Sequence, residues 1–141
     1  MGIKNYTILI SIVFIVLFMS ADQQNKKTFP GLIPTPAEIE YLGSETKILD
    51  DITIDYNADD TKLKNIIDLA QLEIKDIGYN TEFSESSDPR TIISVSVNER
   101  ISNTAESYDL EIIPDGITLR GSDHAGVFYG LQTLIQILET A

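Results

Sequence analysis

The most reactive residue types in this chain of 141 residues stand side by side as Ser122-Asp123-His124. In the catalytic triad of many hydrolases, a histidine takes the proton of a serine while an aspartate orients the other nitrogen of the imidazole ring. Three consecutive residues cannot reach that geometry, because the serine and the aspartate must approach opposite sides of the ring. A short polar residue just before an apolar helix commonly caps it. We therefore interpret Ser122 or Asp123 as a helix cap, and we predict no catalytic residue in this segment.

A metal site is equally poorly supported. Zinc sites combine several histidine, cysteine or carboxylate ligands at characteristic spacings. This sequence has a single histidine, His124, and no cysteine. Its adjacent acidic residues are confined to Asp50-Asp51 and Asp59-Asp60, neither of which is near His124 in the sequence. We predict no metal ligand, no cofactor-binding residue, no cofactor and no disulfide.

Glycines punctuate the last segment at Gly121, Gly126 and Gly130. A phosphate-binding loop would require a lysine and a serine or threonine after its last glycine, whereas Leu131 and a glutamine follow Gly130. Glycines four residues apart lie on one side of a helix, so we predict that they allow a close approach to a neighbouring backbone. Phe128 and Tyr129 could stack on a sugar ring, but their position beside Leu131 favours core or interface packing.

Alternating apolar and polar residues predict the strands that would carry such sites. Residues 48–56 alternate weakly and predict a half-buried strand, while residues 91–97 alternate clearly and are rich in β-branched side chains. Residues 108–112 and 117–120 flank the turn signal Pro114-Asp115-Gly116 and predict a hairpin. A further short strand is predicted over residues 79–83.

Two apolar stripes at helical spacing predict two helices. Asp59 or Asp60 should cap the first helix, and Gly78 should end it in a left-handed conformation. The stripes consist of Leu63, Ile66, Ile67, Ala70, Ile74 and Ile77 in the first helix, and of Val127, Phe128, Leu131, Leu134, Ile135 and Leu138 in the second. The predicted fold class is α+β, with a single sheet of about five to six strands and two helices packed on one face.

The amino-terminal residues predict export. Lys4 precedes an almost wholly apolar run that ends at Ser20-Ala21, a pattern typical of a secretory signal peptide. We predict a signal peptide over residues 1–21, a linker over 22–30 and one domain over 31–141, with a periplasmic or extracellular location. An uncleaved membrane anchor is the alternative for the first segment, and no membrane association is expected after cleavage. All 22 acidic residues and nine of the ten basic residues follow Ala21, so the exported part carries a net charge of 9 − 22 = −13. That charge argues against nucleic-acid binding.

The order of motifs in the last third is more specific than any single residue. It resembles the small domain that precedes the catalytic barrel in glycoside hydrolase family 20, the β-N-acetylhexosaminidases. An earlier proline-rich segment fits the opening of the same domain. The matching segments are Pro34-Thr35-Pro36-Ala37-Glu38-Ile39, Glu106-Ser107-Tyr108, Asp115-Gly116-Ile117 and Ala125-Gly126-Val127-Phe128-Tyr129-Gly130-Leu131-Gln132-Thr133-Leu134.

The resemblance implies what the larger enzyme does. Family 20 enzymes remove terminal N-acetylhexosamine residues by using the acetamido group of the substrate as the nucleophile. An adjacent Asp-Glu pair on the barrel assists: the glutamic acid protonates the leaving oxygen, and the aspartate orients and stabilises the attacking acetamido group. No aspartate in this sequence is followed by glutamate. The family's catalytic motif therefore has no position here onto which it can be carried.

Two functional hypotheses follow from the resemblance. In the first, the chain is the non-catalytic N-terminal domain, or a truncated fragment, of a secreted β-N-acetylhexosaminidase. Its partner would be a TIM-barrel catalytic domain that is absent from these residues, and it would meet glycans only through that barrel. In the second, the chain is a free-standing secreted module that binds carbohydrate or protein. If the final helix normally packs on a barrel, part of its apolar stripe, which includes Val127, Phe128 and Leu131, should be uncovered in this chain.

Overall fold

The structure, a computed structural model of the chain, describes residues 31–33, 35–40, 43, 45–81 and 89–141. The predicted signal peptide (1–21) and linker (22–30) lie outside the described residues. Six regular elements follow one another in the order β-α-β-β-β-α. They are β1 (Ile52–Asp55), α1 (Thr61–Asp76), β2 (Thr91–Val97), β3 (Tyr108–Ile113), β4 (Gly116–Gly121) and α2 (His124–Leu138).

The strands form one mixed sheet in the order β1-β2-β4-β3. The pairings β1–β2 and β2–β4 are parallel, with Ile54 opposite Ile93 and Val95 opposite Leu119. The pairing β3–β4 is antiparallel, with Leu110 opposite Leu119. This register puts the buried apolar residues of the strands on the same face of the sheet, because side chains alternate between faces.

The hairpin of β3 and β4 confirms the predicted turn. Ile113 pairs with Gly116, and Pro114 and Asp115 form the two-residue connection. Gly116 has φ +147°, which residues with a side chain rarely adopt. A β-carbon there would also lie 3.0 Å from the carbonyl oxygen of Ile92 in the neighbouring strand. The glycine is therefore required by both the turn and the close approach of β2.

Helix α1 begins and ends as its sequence predicts. Asp60, one of the two predicted caps of α1, accepts hydrogen bonds from the backbone N–H groups of its first turn. At the other end Gly78 has φ +106°. Its N–H donates to the Lys75 carbonyl at 3.0 Å, and the N–H of Tyr79 donates to the Ile74 carbonyl at 3.2 Å. This pair of hydrogen bonds is the Schellman motif that satisfies the last carbonyls of a helix.

The two helices run parallel to each other on the apolar face of the sheet. Three contacts along their length fix that direction: Asp60 with His124 at the amino-terminal ends, Glu73 with Gln132 in the middle, and Tyr79 with Leu138 at the carboxy-terminal ends. The buried core joins both helices to all four strands. It contains Ile52, Ile54, Leu63, Ile67, Ala70, Ile74, Ile93, Val95, Ile117, Leu119, Val127, Leu131, Leu134, Ile135 and Leu138, with Tyr108, Leu110 and Ile112 of β3 partly buried against it.

The α+β class and the two helices on one face are thus confirmed, but the predicted number of strands is too high. The described residues form four strands rather than five to six. The predicted strand over residues 79–83 reduces to a single bridge between Asn80 and Asp51, and residues 82 and 83 lie outside the described residues. The predicted strand 48–56 shortens to β1 because the segment before it pairs only through Asp51. Among the described residues, no helix has the length and apolarity needed to cross a membrane.

The expectation of an uncovered stripe on the final helix is wrong. Val127, Leu131 and Leu134 are each no more than 1% exposed, and Ile135 and Leu138 are also buried. Phe128 is half-buried. The stripe is covered because α2 lies across β4 and β3 and packs beside α1. The sheet is therefore the partner of the apolar stripe of α2, a partner that the sequence alone did not identify.

Candidate functional site

A group of hydrogen-bonded polar side chains lies where both helices begin, at the carboxyl ends of the parallel strands. Asp60 precedes α1, and the loop from β4 to α2 contains Ser122 and Asp123. This edge is where open α/β sheets generally place ligands. We call this group, together with Ser107 and His124, the helix-start cluster.

Asp60 links the two helices. Its Oδ1 accepts from the backbone N–H of Lys62 at 3.1 Å and of Leu63 at 3.0 Å. Its Oδ2 lies 2.8 Å from Nε2 of His124, the first residue of α2. Both side chains remain about one-third exposed, at 30% for Asp60 and 35% for His124. The N–H of Leu63 and then the hydrogen bond from His124 lower the pKa of Asp60 below its usual value.

Asp123 links α2 to the segment before β3. Its Oδ1 accepts from the N–H of Gly126 at 2.8 Å, which confirms it as the cap of α2. Its Oδ2 accepts from the N–H of Glu106 at 2.9 Å. These N–H groups, that of Gly126 most strongly, lower the pKa of Asp123. Glu106 has φ +63°, a conformation unusual for a residue with a side chain, and its hydrogen bond to Asp123 helps to hold it there.

Ser122 is occupied by the same segment. Its Oγ accepts from the N–H of Ser107 at 3.1 Å and lies 3.2 Å from the Ser107 hydroxyl. Its own N–H donates to the Ser107 carbonyl at 2.8 Å. Ser122 is also only 7% exposed. The candidate triad is therefore not assembled, because Ser122 bonds to Ser107 while His124 bonds to Asp60. The hydrogen bonds of the cluster thus connect the elements of the fold to one another.

The contact between Asp60 and His124 was not predicted from the sequence. The sequence predicts Asp59 or Asp60 as the cap of α1 and Ser122 or Asp123 as the cap of α2, but 64 positions separate Asp60 from His124. The available signal was topological: two helices that both follow parallel strands begin at the same edge of the sheet. No group of three or more potential metal ligands is found among the described residues, the helix-start cluster included.

The glycines of α2 confirm the packing interpretation. A β-carbon on Gly126 would overlap the Ser107 carbonyl oxygen, and one on Gly130 would overlap the Leu119 side chain. Gly121 is equally closed, since a β-carbon there would overlap the Val127 backbone nitrogen. The glycines thus bring α2 close to β3 and β4 and leave no space for a phosphate group.

Phe128 and Tyr129 do not present a flat pair of rings. Their ring centres are 5.7 Å apart and their planes are inclined by 65°. Phe128 is half-buried, whereas Tyr129 is 37% exposed. The edge-to-face geometry is the arrangement that aromatic side chains prefer when they pack on each other. Of these two rings, that of Tyr129 is the one exposed to a partner.

Two shallow, open depressions lie on the described surface. One, of about 350 Å³, lies on the open face of the sheet and is lined by Asp55, Asn57, Ser94 and Ser96 among others. The other, of about 650 Å³, lies at the carboxy-terminal ends of the helices, where Asp50 and Glu139 border it. Asp55 in the first depression and Asp50 and Glu139 in the second are all exposed, whereas the acid of a glycosidase is typically held in an apolar pocket. Neither depression therefore has the character of a glycosidase active site.

Comparison with known proteins identifies similarity over most of the described region. The family model described as glycosyl hydrolase family 20, domain 2, matches residues 29–141, which confirms the resemblance drawn from the sequence. No curated protein matches the chain.

Solved structures share the fold. One is a GH138 enzyme described as targeting pectin rhamnogalacturonan II. It aligns with a TM-score of 0.53 and 17% sequence identity over 64% of this chain. The alignment covers only 14% of the length of that enzyme, and at this identity it shows the common fold alone.

Proposed function

This chain belongs to the glycosyl hydrolase family 20, domain 2, family, and from that premise we propose that it is the non-catalytic domain of an exported β-N-acetylhexosaminidase. Domains of this family normally sit with a catalytic barrel in the same chain. Membership therefore implies a part of a glycoside hydrolase. The identity of the sugar, the export and the division of labour between domains belong to the proposal.

The proposal rests on the family match combined with the absence of the family's catalytic Asp-Glu pair from this sequence. The match covers residues 29–141, and none of the 141 residues forms an Asp-Glu dipeptide. Substrate-assisted hydrolysis needs a proton donor for the leaving oxygen and a group that orients the acetamido nucleophile. The helix-start cluster supplies neither, because the carboxylates of Asp60 and Asp123 are engaged by backbone N–H groups and Asp60 also by His124.

The role left to this domain is mechanical. Its core is continuous, and both helices are capped at their amino-terminal ends. Asp60, Asp123 and Ser122 link those ends to each other and to the segment just before β3. Such a rigid layer can support a neighbouring catalytic domain and restrict its motion. We assign that supporting role to this chain, with the glycan bound by the barrel.

The test is a hydrolysis assay on the purified chain with a chromogenic N-acetyl-β-glucosaminide. We expect no release of chromophore above the buffer blank, while a family 20 hexosaminidase at the same concentration serves as the positive control. Activity that copurifies with the chain through two different columns would overturn the assignment of a non-catalytic role.

Export has a separate test. Residues 1–21 have the composition of a signal peptide, so a bacterial or yeast host should secrete a fusion that carries them. The secreted product should have lost a segment of about this length by intact mass. Retention of the full-length chain in the membrane fraction would instead favour an uncleaved anchor.

A further inference from the structure

The face of the sheet that points away from the helices is polar. Side chains alternate between the two faces of a strand, and Ile54, Ile93 and Leu119 point into the core that the strands share with the helices. The residues between them therefore lie on the opposite side, which we call the open face. Within the described part of the chain, neither helix packs on this face, because both join the core on the other side of the sheet.

One row of side chains crosses the open face on all four strands. The strand register aligns Asp55 of β1 with Ser94 of β2, and Ser94 with Thr118 of β4. It also aligns Thr118 with Glu111 of β3. Neighbouring strands lie about 4.8 Å apart, so the row is about 14 Å long. We call these four residues the polar row; it has a carboxylate at each end and two hydroxyl groups between them.

The fold does not use the polar groups of this row. Among the described residues, none of its four side chains forms a hydrogen bond or an ion pair with another residue, whereas the neighbouring Arg120 and Asp109 pair with each other at 3.0 Å. Asp55 is exposed, and the other three side chains are half-buried. The polar row therefore presents hydrogen-bond donors and acceptors that water or a ligand has to satisfy.

A shallow depression lies at one end of the polar row. Its volume is about 350 Å³, which is at the lower end of the range of about 300–1,000 Å³ for small-molecule sites. Such sites usually combine a few convergent polar groups with apolar or aromatic surface. The side chains that line this depression include both kinds: Asp55, Asn57, Ser94, Thr118 and Tyr56.

The charge of the polar row selects among possible ligands. Asp55 and Glu111 have no cationic partner among the described residues, and the whole chain has a net charge of −12. Such a surface repels anionic ligands and attracts cations. Serine and threonine hydroxyls can both donate and accept hydrogen bonds, as the hydroxyls of a sugar also do. The row therefore matches a ligand that combines hydroxyl groups with positive charge.

We infer that the polar row is a non-catalytic binding site for hexosamine oligosaccharides that carry free amino groups. Asp55 accepts a hydrogen bond from an ammonium group of the sugar that occupies the depression, while Ser94 and Thr118 bond to ring hydroxyls. Glu111 receives an ammonium group of a neighbouring sugar at the other end of the row. A basic peptide would satisfy the two carboxylates but not the hydroxyls between them, so it fits the row less well.

This inference goes beyond the proposed function. The barrel still binds the sugar that is removed, and the polar row holds a part of the glycan that is not being cleaved. Binding to the row requires no hydrolysis by either domain, so the two proposals can be tested separately.

Titration of the isotope-labelled chain, followed by NMR, tests the site. The ligands are the trisaccharide of glucosamine at a mildly acidic pH that protonates its amino groups, its N-acetylated counterpart, a galacturonic acid trisaccharide and a trilysine peptide. Asp55→Asn removes one charge from the row, and Ser94→Ala removes one hydroxyl. Glu139→Gln is the matched control, because it removes the same charge from an exposed carboxylate outside the row.

The glucosamine trisaccharide should shift the signals of the polar row and of Asn57 in a saturable way. The N-acetylated trisaccharide should bind more weakly, and the galacturonic acid trisaccharide should not bind. Asp55→Asn should raise the Kd for the glucosamine trisaccharide by about threefold to fivefold, as expected for the loss of one exposed ion pair. Ser94→Ala should also raise this Kd and leave trilysine binding unchanged. Glu139→Gln should have no effect, because salt screens a charge outside the row.

The site would be disproved if the glucosamine trisaccharide caused no saturable shifts on the open face. Equal weakening by Asp55→Asn and Glu139→Gln would show a diffuse attraction of charge instead of a site. Trilysine that binds as tightly as the trisaccharide would show that the row does not recognise sugars. Each of these results leaves the supporting role intact, whereas cleavage of a trisaccharide, visible in its own signals, would disprove the proposed function. Because the three substituted residues are exposed or half-buried, their variants should remain folded, which a thermal unfolding scan checks.

Discussion

Gly126 is the position at which a single methyl group tests the packing of α2 most severely. A β-carbon there would overlap the carbonyl oxygen of Ser107 and lie 3.0 Å from its carbonyl carbon. That carbonyl accepts the N–H of Ser122 at 2.8 Å, and the Ser107 N–H donates to the Ser122 hydroxyl at 3.1 Å. Because the obstacle is backbone, either the start of α2 or the start of β3 has to move.

The expected cost of Gly126→Ala is a loss of about 1–3 kcal/mol in the free energy of unfolding. Overpacking of a close-packed contact costs about 1–3 kcal/mol, and one weakened hydrogen bond adds about 1 kcal/mol. The higher helix propensity of alanine offsets up to about 1 kcal/mol. For a domain of roughly 110 residues, this loss lowers the Tm by about 5–15 °C.

Urea denaturation followed by circular dichroism measures the change. Gly31→Ala is the matched control, since a β-carbon there meets no atom within 4 Å and its φ is not positive. The control should stay within about 0.5 kcal/mol of the wild type. If Gly126→Ala were as stable as the control, the close approach of α2 to β3 would be refuted.

Three further outcomes follow from the helix ends. The pKa values of Asp60 and Asp123 are lowered in the folded protein, so the stabilisation that these carboxylates provide is present above the unfolded pKa of 3.8 and is lost as the pH falls through the lower folded values. The Tm of the Asp60→Asn, Asp123→Asn double variant should therefore depend less steeply on pH below 4 than that of the wild type. Equal slopes would contradict the capping role of the two carboxylates. Asp60→Ala should lower the Tm more than Asp59→Ala, whose carboxylate caps no helix, and the reverse order would remove Asp60 from the helix junction. Gly78→Ala should lower the free energy of unfolding by about 1–2 kcal/mol because it places a side chain at φ +106°, and a neutral or stabilising result in a urea titration would be inconsistent with the Schellman cap.

The features that the sequence predicted correctly depend on neighbouring residues. The hairpin around Pro114-Asp115-Gly116, the cap at Asp60 and the helix end at Gly78 each reflect the conformational preference of one or two residues. The α+β class likewise follows from stripes and alternations that are visible over short windows. These signals require no knowledge of which element packs on which.

The errors concern contacts between distant segments. The stripe on α2 was identified correctly, but its partner was not, because periodicity gives the direction of an apolar face and not the surface that covers it. Here the sheet and α1 cover it, whereas Leu69 and Leu72 of α1 are among the large apolar side chains that remain exposed. The strand expected at residues 79–83 failed for a similar reason. Asn80 finds a single partner in Asp51, and strand propensity alone cannot create a neighbour.

The helix-start cluster shows the same limit for polar residues. His124 and Asp60 meet only because two helices that follow parallel strands begin at one edge of the sheet. Ser122 or Asp123 was predicted to cap α2, and Asp123 does so. The hydrogen bonds of Ser122 to Ser107 and of Asp123 to Glu106 depend on how the chain enters β3. Sequence reasoning therefore identified the residue types at this edge but not the network they form.

Our main proposal is that this chain supports glycoside hydrolysis without performing it. The sharpest test compares chromophore release from an N-acetyl-β-glucosaminide by the purified chain and by the same chain joined to a family 20 barrel. We expect a rate equal to the blank for the chain alone and measurable turnover for the fusion. Turnover by the chain alone, abolished by a substitution within residues 31–141, would show that the proposal is wrong.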